Sequence, residues 1–389
     1  MIIILCIISF ICMFIIFYGM IGYPLLLLFI DKIKKTKENV KNNEYEPYVT
    51  YMIVAHNEQK VIKDKLKNAL ELDYPKEKFQ IIIASDNSTD KTNEIVKDFI
   101  RTNLDRNINL YCSKEHKGKT NAQNEAQKIA TGEILIMTDA NTIIKPNAIK
   151  EIVSYYTSPD IVYVCGKLEY SNTNINATSQ SEGTYWNLDL KMRNIESKIR
   201  TITAGNGALY SCRNDCYIDF EPISCHDSIM PYTYSKDGKR ALFNPNAIAI
   251  EKAGESDEDE YKRKVRMNRD ILTMIIWGLK VINPFKYKWF SFFYFGHRTC
   301  RYLLWMSHIV LLITSGVLAL VGSRSWLVLF ILQILFYLLS FIVIKMKVNN
   351  SILRLVGYYG MTILAQLNGV INIVTGKSKP IWEKAESTR

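Results

Sequence analysis

Four stretches of this chain carry no charged side chain: residues 1–30, 302–323, 325–344 and 355–376. A bilayer core of about 30 Å takes roughly 20 apolar residues in helix. Inside lipid, only helices and closed barrels satisfy their own backbone polar groups. The chain therefore has apolar ends and a charged middle. Across its 389 residues it holds 49 Lys+Arg against 38 Asp+Glu, a net charge of +11. The middle is long enough for one large or two small domains. This composition excludes a disordered chain, a collagen-like repeat and a disulfide-rich mini-protein. Eight cysteines are spread without paired spacing, two of them in the first apolar run. No disulfide framework is expected, and a reducing compartment fits.

Basic residues orient the apolar runs. Residues 1–31 lack a basic leader and a small-residue cleavage site, so they read as a retained transmembrane anchor. Lys32, Lys34, Lys35, Lys37 and Lys41 follow it and mark the cytoplasmic side. Residues 299–345 hold two further expected spans, with Arg298 and Arg301 before them and Lys345 and Lys347 after them. The run at 355–376 contains Gln366, Asn368 and Asn372 and has basic flanks on both sides. A crossing there would put one basic flank outside. The segment 351–376 is thus expected to be interfacial or re-entrant, or else a third C-terminal span, with 377–389 as a cytoplasmic tail. Residues 271–298 mix Trp277, Phe285, Tyr287, Trp289 and Phe290 with Lys280, Lys286 and Lys288, a composition suited to the headgroup level or to an ordinary core helix.

Between residues 45 and 270 short apolar runs alternate with helical patterns. Strands are expected at 51–55, 79–84, 109–112 and 133–137, and a helix at 120–130. Another helix should open near Asn87-Ser-Thr-Asp90, with Ser88 or Thr89 as its N-cap. Such alternation implies an α/β, mostly parallel, Rossmann-like sheet with both faces covered. Asn57, Asp86 and Asp139 each follow the last apolar residue of a strand. In open α/β sheets ligands bind at the carboxyl ends of strands, so these three side chains should face one crevice. One strand-ending Asp is common in turns; three converging are a stronger signal.

The crevice suits a diphosphate. Asp139-Ala140-Asn141 sets two oxygen-bearing side chains two residues apart, a spacing that can hold Mg²⁺ or Mn²⁺ against phosphate oxygens. Lys117-Gly118-Lys119 offers cations just before a helix N-terminus, which itself favours anions. Taken alone, the two lysines read better as a solvated surface turn.

Several motifs occur together and in order. They are Ile53-Val-Ala-His-Asn-Glu58, Ser85-Asp-Asn-Ser-Thr-Asp90, Gly118-Lys119 with Asn121 and Asn124, and Thr138-Asp-Ala-Asn141. Ala204-Gly-Asn-Gly-Ala-Leu-Tyr210 with Arg213 follows, then Cys225-His-Asp227 with Gly238 and Pro245. The set resembles membrane-bound family 2 glycosyltransferases of the polysaccharide-synthesis type, which have the GT-A fold. Trp382 and Arg389 are similar to a recurrent tail of such members. The resemblance implies a GT-A cytoplasmic domain with one N-terminal and two or three C-terminal transmembrane or interfacial helices. It implies that Ala55, Asn57, Glu58, Asp86, Lys119 and Asp139 bind a nucleotide-sugar, and that Asp139 and Asn141 hold Mg²⁺ or Mn²⁺. It further implies acceptor contacts at Gly205, Asn206, Gly207, Arg263 and Arg266, and Asp227 as general base. Asn141 departs from the family, which usually has a second Asp there and so one more negative charge.

The expected activity is inverting transfer from a nucleotide-diphospho-sugar, of the UDP type, to a lipid-linked or polysaccharide acceptor at the cytoplasmic face of the cell membrane. Inversion needs a carboxylate to take the acceptor proton and a cation to stabilise the leaving diphosphate. Polymerising members carry Gln-x-x-Arg-Trp; here Arg263-Lys-Val-Arg266-Met267 stands instead, which leaves single addition and processive synthesis with export both open. The two arginines share a helix face and serve equally well as partners of the acidic run 255–260. A rival of another class is a catalytically weak sugar-nucleotide-binding scaffold working beside other polysaccharide-synthesis subunits. Zinc at Cys212, Cys216, Cys225 and His226 is disfavoured by irregular spacing. The sequon Asn176-Ala-Thr178 would lie in a cytoplasmic loop and stay unmodified. No nucleic-acid partner is expected, because much of the positive charge marks membrane edges.

Overall fold

The computed structural model describes residues 1–171, 177–252, 257–346, 348 and 350–381. Trp382, Arg389, Asn176, Glu255 and Lys347, named above, lie outside those residues. The chain forms two compact units. One holds 1–34, 172–192 and 254–378; the other holds 35–171, 193–253 and the tail from Lys379. The units cut across the expected 45–270 block, since 172–192 and 254–270 cluster with the apolar ends.

The second unit is built on one eight-stranded sheet in the order β3-β2-β1-β4-β7-β6-β8-β5. The strands are β1 Val49–Ala55, β2 Phe79–Ser85, β3 Asn107–Cys112, β4 Ile134–Asp139, β5 Ile143–Ile144, β6 Ile161–Tyr170, β7 Leu209–Arg213 and β8 Arg240–Glu251. β1 to β4 pair in parallel, as their alternation with helices requires, whereas β7 runs antiparallel to both β4 and β6. β1 and β2 are buried along their whole length. That explains their unbroken apolar runs, since a parallel strand is covered on both faces. β2, β1 and β4 are adjacent, so their carboxyl ends share one edge.

Two local expectations shift. The N-cap expected at Ser88 or Thr89 moves on, because Asn57 claims that turn. The Asn57 N–H donates to Ser88 Oγ (3.1 Å), and Thr89 N–H donates to Asn57 Oδ1 (2.8 Å). The helix instead spans Thr92–Thr102, and Asp90 Oδ1 accepts from the Thr92 N–H at 2.9 Å. The helix expected at 120–130 spans Lys119–Gln127.

The first unit is helical. Ile2–Lys34, 33 residues, and Arg324–Met346, 23 residues, are long and apolar enough to cross a membrane. The span expected at 302–323 differs. Leu304–Leu320 has 17 residues, about 26 Å at 1.5 Å each, short of the core. It meets the helix at Trp289–Tyr302 at a bend of 60°. Residues 351–376 form a continuous helix, Ser351–Val374. Ser340 Oγ donates to the Val356 carbonyl (3.3 Å), His308 meets the Tyr359 hydroxyl (2.9 Å), and Gln366 Nε2 donates to the Arg301 carbonyl (2.8 Å). Seven residues onward along this helix thus lead seven residues back along the chain from His308 to Arg301. The aromatic-basic segment folds into helices Ile271–Lys280, Pro284–Tyr287 and Trp289–Tyr294. Phe285 is 94% exposed there, and Phe293 is buried. The eight cysteines are all free, as expected.

Candidate active site

The carboxyl ends of β1 and β2 form one wall. Asp86, just beyond β2, is almost fully buried. Its Oδ1 accepts from the Lys117 N–H (3.1 Å), and its Oδ2 accepts from the Gly118 N–H (2.8 Å) and meets His116 Nδ1 (2.8 Å). The carboxylate therefore fastens the turn that precedes the Lys119–Gln127 helix. Gly118 sits at φ +98, and a Cβ there would stand 2.7 Å from the Pro380 carbonyl oxygen, so the chain's tail lies against this turn. Asn57 has φ +52 and brackets residues 88–90. Glu58 is buried and its N–H donates to Thr92 Oγ1 at 2.8 Å.

His56, Asp86 and His116 bring ligand-type atoms within 4.8 Å of one another. The imidazoles, however, stack at 3.7 Å with planes 7° apart. An imidazole nitrogen binds an ion through a lone pair lying in its ring plane, so parallel stacked rings cannot share one ion without turning. Both Nδ1 atoms already meet Asp86 oxygens, the carboxylate for His116 and the backbone carbonyl for His56 (2.7 Å). This trio is a stacked, hydrogen-bonded clamp.

The charged groups meet further along the edge, at the end of β4. Lys119 opens its helix and donates from Nζ to Asp139 Oδ1 (2.6 Å) and to the Gly207 carbonyl (3.2 Å). A Cβ on Gly207 would lie 3.0 Å from Lys119 Nζ, 3.6 Å from Asp139 Oδ2 and 4.0 Å from Asp227 Cγ. Three charged side chains from three elements thus surround one glycine, and a side chain there would press on the Lys119 ammonium. Asp227 is the second residue of the His226–Lys236 helix, with Cys225 at the N-cap. It is therefore not the cap itself. Its carbonyl accepts from the Gly205 N–H (2.8 Å) and from the Tyr163 hydroxyl (3.2 Å), which pins its backbone.

Burial and neighbours tune these groups in opposite directions. Burial raises the Asp227 carboxyl above its ordinary value, Lys119 opposes the rise and Asp139 adds to it. Burial alone would lower Lys119, but Asp139 and Asp227 outweigh it and hold the ammonium above the ordinary lysine value. A base with a raised pKa beside a persistent cation suits proton abstraction near a developing negative charge.

Asp139 and Asn141 are hard oxygen donors by chemistry, the type that would hold a divalent cation, and the Lys119 ammonium is itself a cation bonded to Asp139 with Asp227 nearby. Beneath the turn lies Lys65, fully buried, which donates to Thr138 Oγ1 (3.1 Å) and to the Thr142 carbonyl (2.5 Å). Burial lowers its pKa to about 7 against the pull of Asp139 and Glu251.

The structure thus brings Lys119, Asp139, Gly205, Gly207 and Asp227 together, with Ala55, Asn57, Glu58 and Asp86 along the same sheet edge. Asn206 turns inward: its Nδ2 donates to the Gly166 carbonyl (2.7 Å) and its Oδ1 accepts from the Ala208 N–H (3.2 Å). Arg263 and Arg266 belong to the other unit, on the Asp257–Met267 helix. Arg263 grips the buried Glu260 at 2.7 and 3.1 Å, as the paired-face reading of that helix has it. Sequence reasoning missed Lys65, the His56–His116 stack and the partners of His226. Lys65 had a visible sign: it falls in the same helical stripe as Ile62, Leu66 and Ala69.

Residues 50–215 match the family described as Glycosyl transferase family 2. A probable glycosyltransferase, YdaM of Bacillus subtilis, is 33% identical over 138 residues, 34% of this chain and 31% of that protein. A poly-beta-1,6-N-acetyl-D-glucosamine synthase of Staphylococcus epidermidis is 34% identical over 100 residues, 26% and 23% of the two chains. A beta-monoglucosyldiacylglycerol synthase of Synechocystis is 26% identical over 163 residues, 42% of this chain and 33% of that one. The chain spans about a third or less of the length of these curated relatives. Among solved structures, the mannosyltransferase PcManGT of Pyrobaculum calidifontis, in complex with GDP-Man and Mn2+, has a TM-score of 0.68 at 21% identity, covering 96% of this chain and 99% of its own. That likeness is one of fold, and it agrees with the GT-A architecture. Residues 50–215 thus resemble a family 2 glycosyltransferase domain, in a chain whose fold is that of the GT-A enzymes.

Proposed function

We propose that this protein is a membrane-anchored, inverting glycosyltransferase that moves a sugar from a nucleotide-diphospho-sugar, of the UDP type, to a lipid-linked or polysaccharide acceptor at the cytoplasmic face. One observation carries the reading: Lys119, Asp139 and Asp227 meet around Gly207. The Asp227 carboxylate takes the proton of the acceptor hydroxyl as its oxygen bonds to the anomeric carbon. The bond from that carbon to the phosphate oxygen breaks, and the diphosphate leaves with the electron pair. Lys119, freed from Asp139 by the incoming phosphates, faces that charge. Asp139 and Asn141 would hold Mg²⁺ or Mn²⁺, which when bound stabilises the leaving diphosphate. Asp86 and the turn it fastens, with Ala55, Asn57 and Glu58, would receive the nucleoside.

The relatives support a polysaccharide or glycolipid product, since one is named for a polysaccharide and another for a glycolipid. We read Ser351–Val374 as interfacial, because its course returns toward Arg301. Product length in detergent separates single addition from processive synthesis. The decisive variant is Asp227→Asn, which should abolish transfer while UDP binding persists. Normal turnover in that variant would discard the assignment, and the absence of any sugar release from a panel of nucleotide sugars would favour the scaffold reading.

A further inference from the structure

The Lys119–Gln127 helix has almost no apolar face, although it packs against the fold. Thr120, Gln123, Asn124 and Gln127 fall at positions i, i+3, i+4 and i+7, so one stripe of the helix is polar. Every residue of that stripe bonds to the stretch 214–226. Thr120 Oγ1 donates to the Ser224 carbonyl at 2.5 Å, and Gln127 Nε2 donates to Asn214 Oδ1 at 2.8 Å. Asn124 Nδ2 donates to the Phe220 carbonyl at 2.8 Å, and its Oδ1 accepts from the Tyr217 hydroxyl at 2.9 Å. Gln123 Oε1 meets His226 Nδ1 at 2.9 Å, while its Nε2 donates to the Tyr210 hydroxyl at 2.7 Å. His226 Nε2 lies 3.2 Å from the Tyr217 hydroxyl.

The placement of this zipper matters. Lys119 begins the polar helix, and Asp227 directly follows His226. An apolar stripe would hold the two helices together, but apolar attraction has no direction and tolerates sliding. Hydrogen bonds fix distance and angle, so a buried polar network restricts the arrangement more than apolar packing does. Thr120, Gln123 and His226 are all almost fully buried. Burial also drives the His226 pKa down to about 3, so the ring brings no charge beside Lys119 and Asp227.

We propose that His226 is a positioning residue which, through Gln123 and Tyr217, sets the Asp227 carboxylate at a fixed offset from Lys119. This rests on Asp227 being the general base. A misplacement of about 1 Å at a reacting group can cost on the order of 100-fold in rate.

The test uses the full-length protein in detergent and measures transfer kinetics, UDP binding and melting. His226→Ala should lower kcat at least tenfold, with donor KM and UDP affinity within about twofold. His226→Asn, whose amide can replace the ring at Gln123, should recover most of the loss. The double variant His226→Ala/Gln123→Ala should be no slower than His226→Ala, because both residues act through one link. Unchanged kcat in folded His226→Ala, a parallel rise in KM, or no recovery with Asn would each overturn the proposal. If His226→Ala does not fold, Tyr217→Phe decides. It keeps the ring and removes only the hydroxyl, so it should lower kcat severalfold without moving KM, and an unchanged kcat overturns the proposal. Asp227→Asn separates the two claims. If that variant is dead and His226→Ala turns over normally, only the positioning role falls. If Asp227→Asn is active, the reading of the base itself falls.

Discussion

His226 and His308 occupy similar sockets in different units. Both are buried, and both ring nitrogens of each meet polar partners: Gln123 and Tyr217 for His226, Tyr337 and Tyr359 for His308. Their surroundings differ. Beyond His308 lie Phe336 and the apolar faces of three helices, so its bonds close the set. Beyond His226 lie Lys119, Asp139 and Asp227, gathered round Gly207. The same arrangement therefore ties helices together in one unit and stands beside a cluster of charged groups in the other. Buried polar groups cost free energy unless paired. The helical socket pairs one ring with neutral hydroxyls, whereas the sheet unit keeps costly charges close together around Gly207.

The largest effect should come from adding a side chain at Gly207. Gly207→Val puts methyl groups among Lys119, Asp139 and Asp227. The Lys119 ammonium is a flexible end and can move aside, so the melting temperature should hardly change. Turnover should drop by about 100-fold, on the order of 2.7 kcal/mol of barrier. Normal activity in the Gly207→Val variant would mean that the reaction does not occur beside Gly207. A second, smaller effect tests the cost of buried charge. Lys65 has a pKa lowered to about 7 by burial, against an unfolded value near 10.4. Between those values the unfolded chain binds the proton and the folded chain does not. Stability must then rise with pH across that window, by up to about 1.4 kcal/mol per pH unit. The penalty is fully present below about pH 7 and is gone above the unfolded value. Asp139, Glu251 and Tyr51 are the titrating groups nearest the amine. Lys65→Met should abolish this slope, and identical melting profiles from pH 7 to 9 for both proteins would show that Lys65 is not buried as a cost.

The fold was legible wherever burial wrote a period. β1 and β2 are covered on both faces and appear as unbroken apolar runs, and Asn57, Asp86 and Asp139 mark the strand ends at which the chain turns. The charged meeting point was not legible as geometry. Lys119, Gly207 and Asp227 are far apart in sequence, and only the antiparallel return of β7 beside β4 brings Gly207 to Asp139. The His226 network escaped for a different reason. Thr120, Gln123, Asn124 and Gln127 have the helical period, but the search for helical faces looks for apolar residues at that spacing. The same spacing filled with polar residues reads as a solvated surface, although here it is buried. Lys65 was hidden in the converse way, as a charge inside an apolar stripe.

The smallest effect is the sharpest comparison, because it makes one chemical change in both sockets. Tyr337→Phe removes the hydroxyl beside His308, as Tyr217→Phe removes the one beside His226. Hydrogen bonds between helices in membranes average about 0.6 kcal/mol, because the unpaired groups find other partners. The Tyr337 variant should therefore melt only slightly lower and transfer sugar at the normal rate. The Tyr217 variant should show the reverse, a slower kcat with melting little changed. Parallel kinetics and melting curves on the two variants check both at once. A loss of turnover in Tyr337→Phe as large as in Tyr217→Phe would mean that the helical socket also acts on the reaction, and the two histidines would no longer differ in kind.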